Sequence, residues 1–235
     1  MPALSTAALA DALHHPAIWR GGSVAAALPG IATGFATLDA VLPGGGWPRG
    51  TLTELLPARP GVGEISLLAP ALARLSREDE RWLLWIAPPH VPYAPALTAA
   101  GIDLARLIVV RPHSAAEALW AARQALASKS ASAVLAWLDT PDMHSLRRLQ
   151  LAAEQSQAFA CLLRPPHAAG DFSPAALRLR LDTGNDRRLA VHVLKRRGPR
   201  LERPVSVELR RDRHALDRDP PSRPAAASFP ARIAI

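Results

Sequence analysis

Five short apolar runs punctuate the chain between positions 51 and 164: TLTELL (51–56), RWLLWIA (81–87), LIVVR (107–111), AVLAWLD (133–139) and AFACLLR (158–164). Each is too brief for a free-standing helix and is typical of a strand buried on both faces. The stretches between them, 65–76, 91–100, 114–128 and 142–156, are of helix length. Strands alternating with helices predict an α/β fold with a mostly parallel sheet flanked by helices. After Arg164 the period changes to two. ALRLRLDT (176–183), RRLAVHVLKRR (187–197) and PVSVELRR (204–211) alternate apolar with polar residues and are joined by turn sequences, which predicts a C-terminal antiparallel meander extending the sheet. Residues 5–13 read as a short amphipathic helix behind a Ser or Thr cap. The expected organisation is therefore an N-terminal helix and linker over 1–27, a main domain over 28–213 with its basic antiparallel segment at 176–213, and a mostly disordered Pro- and Ala-rich tail over 214–235.

Composition adds two constraints. A chain of 235 residues, 49% of them hydrophobic, can bury a full core as one domain. The net charge of +8 is concentrated: residues 178–213 hold twelve Lys/Arg against five Asp/Glu, while residues 1–177 sum to zero. The single cysteine, Cys161, excludes an intramolecular disulfide and any multi-cysteine metal site. The N-terminal sequence lacks the basic start and long apolar run of an export signal, and no apolar stretch is long enough for a membrane span, so a cytoplasmic protein without membrane contact is expected.

The stretch LPARPGVGEIS (56–66) lies where the first predicted strand meets the first long helix, the position of a phosphate-binding loop. In the G-x-x-x-x-G-K-[ST] pattern the lysine offsets phosphate charge and the hydroxyl holds magnesium. Aligning Gly63 with the second glycine puts Ala58 at the first, Glu64 at the lysine and Ile65 at the Ser/Thr. A carboxylate repels phosphate and an aliphatic group holds no metal, so this degenerate loop is expected not to hydrolyse ATP. Arg59 is its one cation, available only in a shifted register, while Gly61 and Gly63 supply turn geometry. The carboxylate that would activate water after the next strand falls at about Pro89. Asp139, closing AVLAWLD, stands where a Walker B aspartate would, but aspartate at a strand end also caps a following helix, and the other missing parts favour that reading. No catalytic residue, cofactor or metal site is expected.

The run IATGFATLDAVLPGGGWPRGTLTELLPARPGVGEISLL (31–68) resembles the opening of the RecA-like core. A RecA-like domain with an eroded loop and a basic antiparallel end is similar to the ImuA family of translesion-synthesis-associated proteins. The local matches are GFATLDAVLPGGGWPRGTLTELL, RWLLWIAPPHVPYAPALTAAGIDLARLIVV and LRLRLDTGNDRRLAVHVLKRRGPR. The resemblance implies a non-catalytic accessory role in SOS-induced mutagenic repair, with ImuB and an error-prone paralogue of the polymerase III alpha subunit as partners and RecA as a further contact. The middle of the chain also resembles SulA, the SOS inhibitor of cell division that binds FtsZ, and this is the alternative reading. SulA-type proteins are shorter and lack a long arginine-rich meander.

Within that meander, Lys195, Arg196, Arg197, Arg200 and Arg203 cluster beside a predicted strand end, and Arg178 and Arg180 share one strand face. Such a cluster can neutralise nucleic-acid phosphates. It can equally be a solvated edge guarded by charge, or meet an acidic protein surface. Phe172 is the only aromatic nearby, which gives little support to base stacking. The histidines are scattered without metal-ligand spacing. Trp82, Trp85 and Trp137 fall in predicted strands and are expected in the core, whereas Trp19, Trp47 and Trp120 have no assigned environment, and one of them left exposed would mark a protein interface.

Overall fold

The computed structural model describes residues 29–184 and 188–209. The expected N-terminal helix and linker, the whole of the expected tail and the turn residues 185–187 lie outside the described residues.

Strand β1 (Thr51–Pro57) is buried through its middle, Thr53 and Glu54 included, and lies between β5 (Phe159–Leu163) and β6 (Leu177–Thr183), parallel to both. Strands β2 (Trp82–Ile86), β3 (Leu107–Val110) and β4 (Ala131–Trp137) complete the parallel part, and β7 (Leu189–Lys195) and β8 (Val205–Val207) add antiparallel strands at the far edge. The sheet has eight strands in the order β3-β2-β4-β5-β1-β6-β7-β8. A mixed α/β sheet, mostly parallel with a C-terminal antiparallel set, is thus what the alternation predicted.

One boundary differs. The first predicted meander strand, β6, belongs to the parallel part through β1 and turns antiparallel only towards β7. A parallel neighbour requires a crossover. Here the chain leaves β5, passes through a 3₁₀ turn at Pro166–Gly170 that packs on β1, and re-enters the sheet on the other side of β1.

Helix α1 (Ala36–Asp39), helix α2 (Glu64–Glu78) and helix α3 (Ala94–Ala99) accompany one face, where Leu38, Leu67, Leu68, Leu72 and Leu97 pack with Leu55, Leu83, Leu135 and Leu179. Helices α4 (Ala115–Ala127) and α5 (Met143–Ser156) cover the other, where Ala118, Ala122, Leu126, Leu146 and Leu149 meet Leu52, Ile86, Val134 and Leu162. Trp47 is fully buried against Phe159, with ring centroids 5.7 Å apart. Trp85 is buried and Trp137 half-buried, but Trp82 is 38% exposed with the Arg106 guanidinium over its ring. Trp82 opens β2 rather than occupying its middle, so its side chain lies at the rim of the sheet and not in the core.

Candidate functional site

The loop 58–63 leaves the carboxyl end of β1, inside the sheet, and runs into α2, the kind of position where ligands of open α/β sheets bind. Its amino end is tied to the sheet by the Ala58 amide, which donates to the Leu181 carbonyl at 2.8 Å. Gly61 and Gly63 have φ of 77° and 129°, left-handed backbone that a side chain would strain. At Gly63 a Cβ would also meet Leu209 Cδ1 at 2.4 Å, so the segment after β8 closes over this end of the loop.

Glu64 answers what the loop does. Its Oε1 accepts the Gly61 amide at 2.8 Å and its Oε2 the Gly63 amide at 3.1 Å, and the residue is 7% exposed. The carboxylate does more than repel a phosphate; it occupies the amides that a phosphate would need, and it sits at the positive end of α2. Ile65 packs against the core, while Arg59 is exposed and turned to solvent, outside the cradle. The residues present therefore do not fit a nucleotide with magnesium. Pro89 is exposed at the water-activating position. Asp139 is exposed and does not cap the next helix: Asp142 does, accepting the Ser145 amide at 2.7 Å. The capping expectation at Asp139 is corrected by three residues, because β4 ends at Trp137 and an irregular stretch precedes α5. Among the described residues no group of three His, Cys, Asp or Glu could hold a metal ion, and no helix is long and apolar enough to cross a membrane.

The basic segment is not a single patch. Arg178 shares a face with Arg180, but it is buried beneath the crossover: Nε donates to Glu54 Oε2 at 2.7 Å, Nη1 to the Asp171 carbonyl at 2.9 Å and Nη2 to the Ala168 carbonyl at 2.5 Å. A side chain committed to that many buried acceptors is not available to a ligand, and the expected contact role for Arg178 is withdrawn. Glu54 is fully buried mid-strand and also accepts Arg164 Nη1 at 3.3 Å and Ser173 Oγ at 2.6 Å; Arg164 in turn pairs with Asp171 at 3.0 Å. This ion cluster locks the β5–β6 crossover onto β1. Lys195 Nζ donates to the Ser173 carbonyl at 2.8 Å, with its pKa lowered by burial and then by the Arg178 charge. Arg196 donates to the carbonyls of Val41 and Pro199, pinning the β7–β8 loop to the end of α1. Arg180 pairs with Asp182 at 2.9 Å. Arg197, Arg200 and Arg203 are exposed on the β7–β8 loop and make no ion pair among the described residues. Phe172, at 90% exposure, stands free on the crossover.

Sequence reasoning missed the Glu54 cluster. Its one signal was the lone carboxylate Glu54 in TLTELL, a charge in a strand otherwise expected to be buried on both faces; Arg178 gave none, since it falls on the polar face of an alternating strand.

The sequence has relatives among known proteins. Residues 50–160 match the family model described as "Cell division inhibitor SulA". The cell division inhibitor SulA of Edwardsiella piscicida is 38% identical over 103 residues, covering 43% of this chain and 60% of that protein. Protein ImuA of Caulobacter vibrioides is 31% identical over 139 residues, covering 57% of each. SulA of Cronobacter sakazakii is 33% identical over 138 residues, covering 56% of this chain and 80% of that one. The crystal structure of SulA from Pseudomonas aeruginosa has 31% identity and a TM-score of 0.42, covering 48% of this chain and 97% of that chain. The chain spans about 60% of the length of the first two of these curated relatives.

Proposed function

Because the chain belongs to the SulA-related family that includes ImuA proteins, we propose that it is a non-catalytic, cytoplasmic accessory protein of the DNA-damage response that works by binding. The observation that carries the non-catalytic reading is the Glu64 carboxylate seated on the Gly61 and Gly63 amides. A RecA-like ancestry is supported by the glycine-bearing loop at the carboxyl end of an interior parallel strand, followed directly by a long helix. In this reading the fold has kept the place of a nucleotide and lost the chemistry.

Of the two family roles, we favour the ImuA-type adaptor in mutagenic translesion synthesis, acting with ImuB and an error-prone polymerase III alpha paralogue, and with RecA as a further contact. Support comes from what lies outside the segment matched as SulA: the Ile31–Trp47 bridge and helix α1 before it, and the crossover and strands β6–β8 after it, all integrated into one core. DNA is a further ligand in this proposal, through Arg197, Arg200 and Arg203; its mark would be affinity falling steeply with salt, by a slope of about 0.9 per phosphate contact on duplex DNA. The SulA-like alternative, division arrest through FtsZ, is favoured by the match over 50–160.

A deletion strain separates the two. Loss of damage-induced mutation, restored by the intact gene and not accompanied by a change in cell length after damage, is the expected result. Unchanged mutation frequency together with loss of damage-induced filamentation would overturn the adaptor reading in favour of the alternative.

A further inference from the structure

Helices α4 and α5 lie side by side on the sheet, and between their amino-terminal halves is a pocket of about 150 Å³ lined by Ala116, Leu119, Trp120, Arg123, Ser145 and Arg148, with Leu149 at its floor. Trp120 is 59% exposed, while Leu149 beneath it is buried. Arg123 and Arg148 flank the pocket, and Arg147 is exposed beside it in sequence; none of the three pairs with a carboxylate among the described residues. The neighbouring acids are already used: Glu117 Oε2 accepts the His113 amide at 2.9 Å, Asp142 holds Ser145, and Glu154 accepts from Gln150 at 2.9 Å. An exposed tryptophan beside unpaired arginines is the composition of a binding hot spot. The pocket is the size of one large apolar side chain, and its walls are cationic.

We propose that this groove docks an acidic segment of a partner protein, inserting one large apolar side chain between Leu119, Trp120 and Leu149 while flanking carboxylates meet Arg123 and Arg148. Charge complementarity selects this occupant. A second copy of the chain would bring a net charge of +8 and the same arginines to the contact. The chain's own extensions do not fit either: residues 210–235 carry six arginines against three aspartates, and residues 1–28 carry one of each. Nucleic acid needs cations tracking a backbone, whereas here the two arginines border a small open hollow with Leu149 at its floor. The inference rests on this surface and not on which damage-response role the protein plays.

The test is selection from a random peptide display library on the full-length protein, counter-selected against Trp120→Ala, with the selected peptide then titrated by fluorescence anisotropy. The expected consensus is a Phe, Leu or Trp flanked by Asp or Glu. Its affinity should fall at least tenfold in Trp120→Ala, in Arg123→Gln/Arg148→Gln, and when the peptide's apolar anchor becomes Ala. Trp120 and Arg148 are exposed and Arg123 is half-buried with no ion-pair partner among the described residues, so the variants should keep the wild-type melting curve. No enriched consensus, a basic consensus, or binding indifferent to Trp120 would overturn the proposal. Trp120-dependent binding of oligothymidine in place of peptide would make the groove a nucleic-acid surface instead.

Discussion

Replacing Glu54 by leucine should be among the most damaging single changes in this protein, although leucine is apolar and close in volume. Glu54 lies fully buried in β1 and receives Arg178 Nε at 2.7 Å, Arg164 Nη1 at 3.3 Å and Ser173 Oγ at 2.6 Å; the two arginine side chains are 7% and 2% exposed. Without the carboxylate both guanidiniums stay buried, Arg178 keeping only carbonyl partners and Arg164 only Asp171, whose side chain is 53% exposed. Removing one member of a buried ion pair costs about 3–5 kcal/mol, most of it the penalty on the charge left behind. For a chain of this length about 1 kcal/mol shifts Tm by about 2–4 °C, so a fall of about 6–20 °C is expected. Urea unfolding followed by tryptophan fluorescence gives the free energy directly, with an unchanged m-value showing that the native state is comparable. The diagnostic variant is Glu54→Leu/Arg178→Met. Taking out the stranded charge should make it more stable than Glu54→Leu alone, even though the carbonyls of Ala168 and Asp171 lose a donor. A Glu54→Leu cost below about 1 kcal/mol, or strictly additive losses in the double variant, would refute the assignment of the cluster as the lock on the crossover.

Three further outcomes are expected. Cys161 is fully buried, and burial, followed by the nearby Glu54 charge, pushes its thiol well above the ordinary range, so a thiol reagent should be silent on native protein and find one thiol in denaturant; rapid native labelling would contradict the packing of β5. The Asp79 pKa is lowered, first by the Arg81 side-chain hydrogen bond at 2.7 Å, so its stabilisation is present above the unfolded value of about 4 and is lost as pH falls through the folded value. Melting curves of wild type and Asp79→Asn should therefore differ near neutrality and converge in acid, and a gap that widens below pH about 4 would reverse the sign argued here. Calorimetric titration with ATP and magnesium should give no saturable heat, because Glu64 already holds the loop amides; saturable heat would mean that the carboxylate yields its place.

What was legible in the sequence was the part governed by period. The doubly buried strands β1, β4 and β5 stand out as short, mostly apolar runs, and β6 and β7 as alternating ones, because those patterns follow from how many faces a strand buries. That the loop does not suit a phosphate was legible too, since it depends on residue type at fixed offsets from Gly63. The pairing of β6 was not: period two marks a strand and says nothing of whether its neighbour runs parallel, which was decided by a crossover without a helix. Nor was the fate of the arginines. Arg178 and Arg180 are two residues apart on one face, yet one is roofed by the 166–173 segment and the other is half open, a difference set by contacts more than a hundred residues apart in sequence, as from Arg178 to Glu54. Trp120 was visible as a tryptophan that would mark an interface if exposed, but the α4–α5 groove was out of reach, because an amphipathic helix does not announce which part of its rim its neighbour leaves bare.

The central claim, a binding-only adaptor in damage-induced mutagenesis, is tested most directly by recovering the tagged full-length protein from DNA-damaged cells, with nuclease in one arm, and identifying what accompanies it. The account predicts ImuB, the error-prone polymerase or RecA in both arms. Recovery of FtsZ without any of them would contradict it and make the protein a division inhibitor.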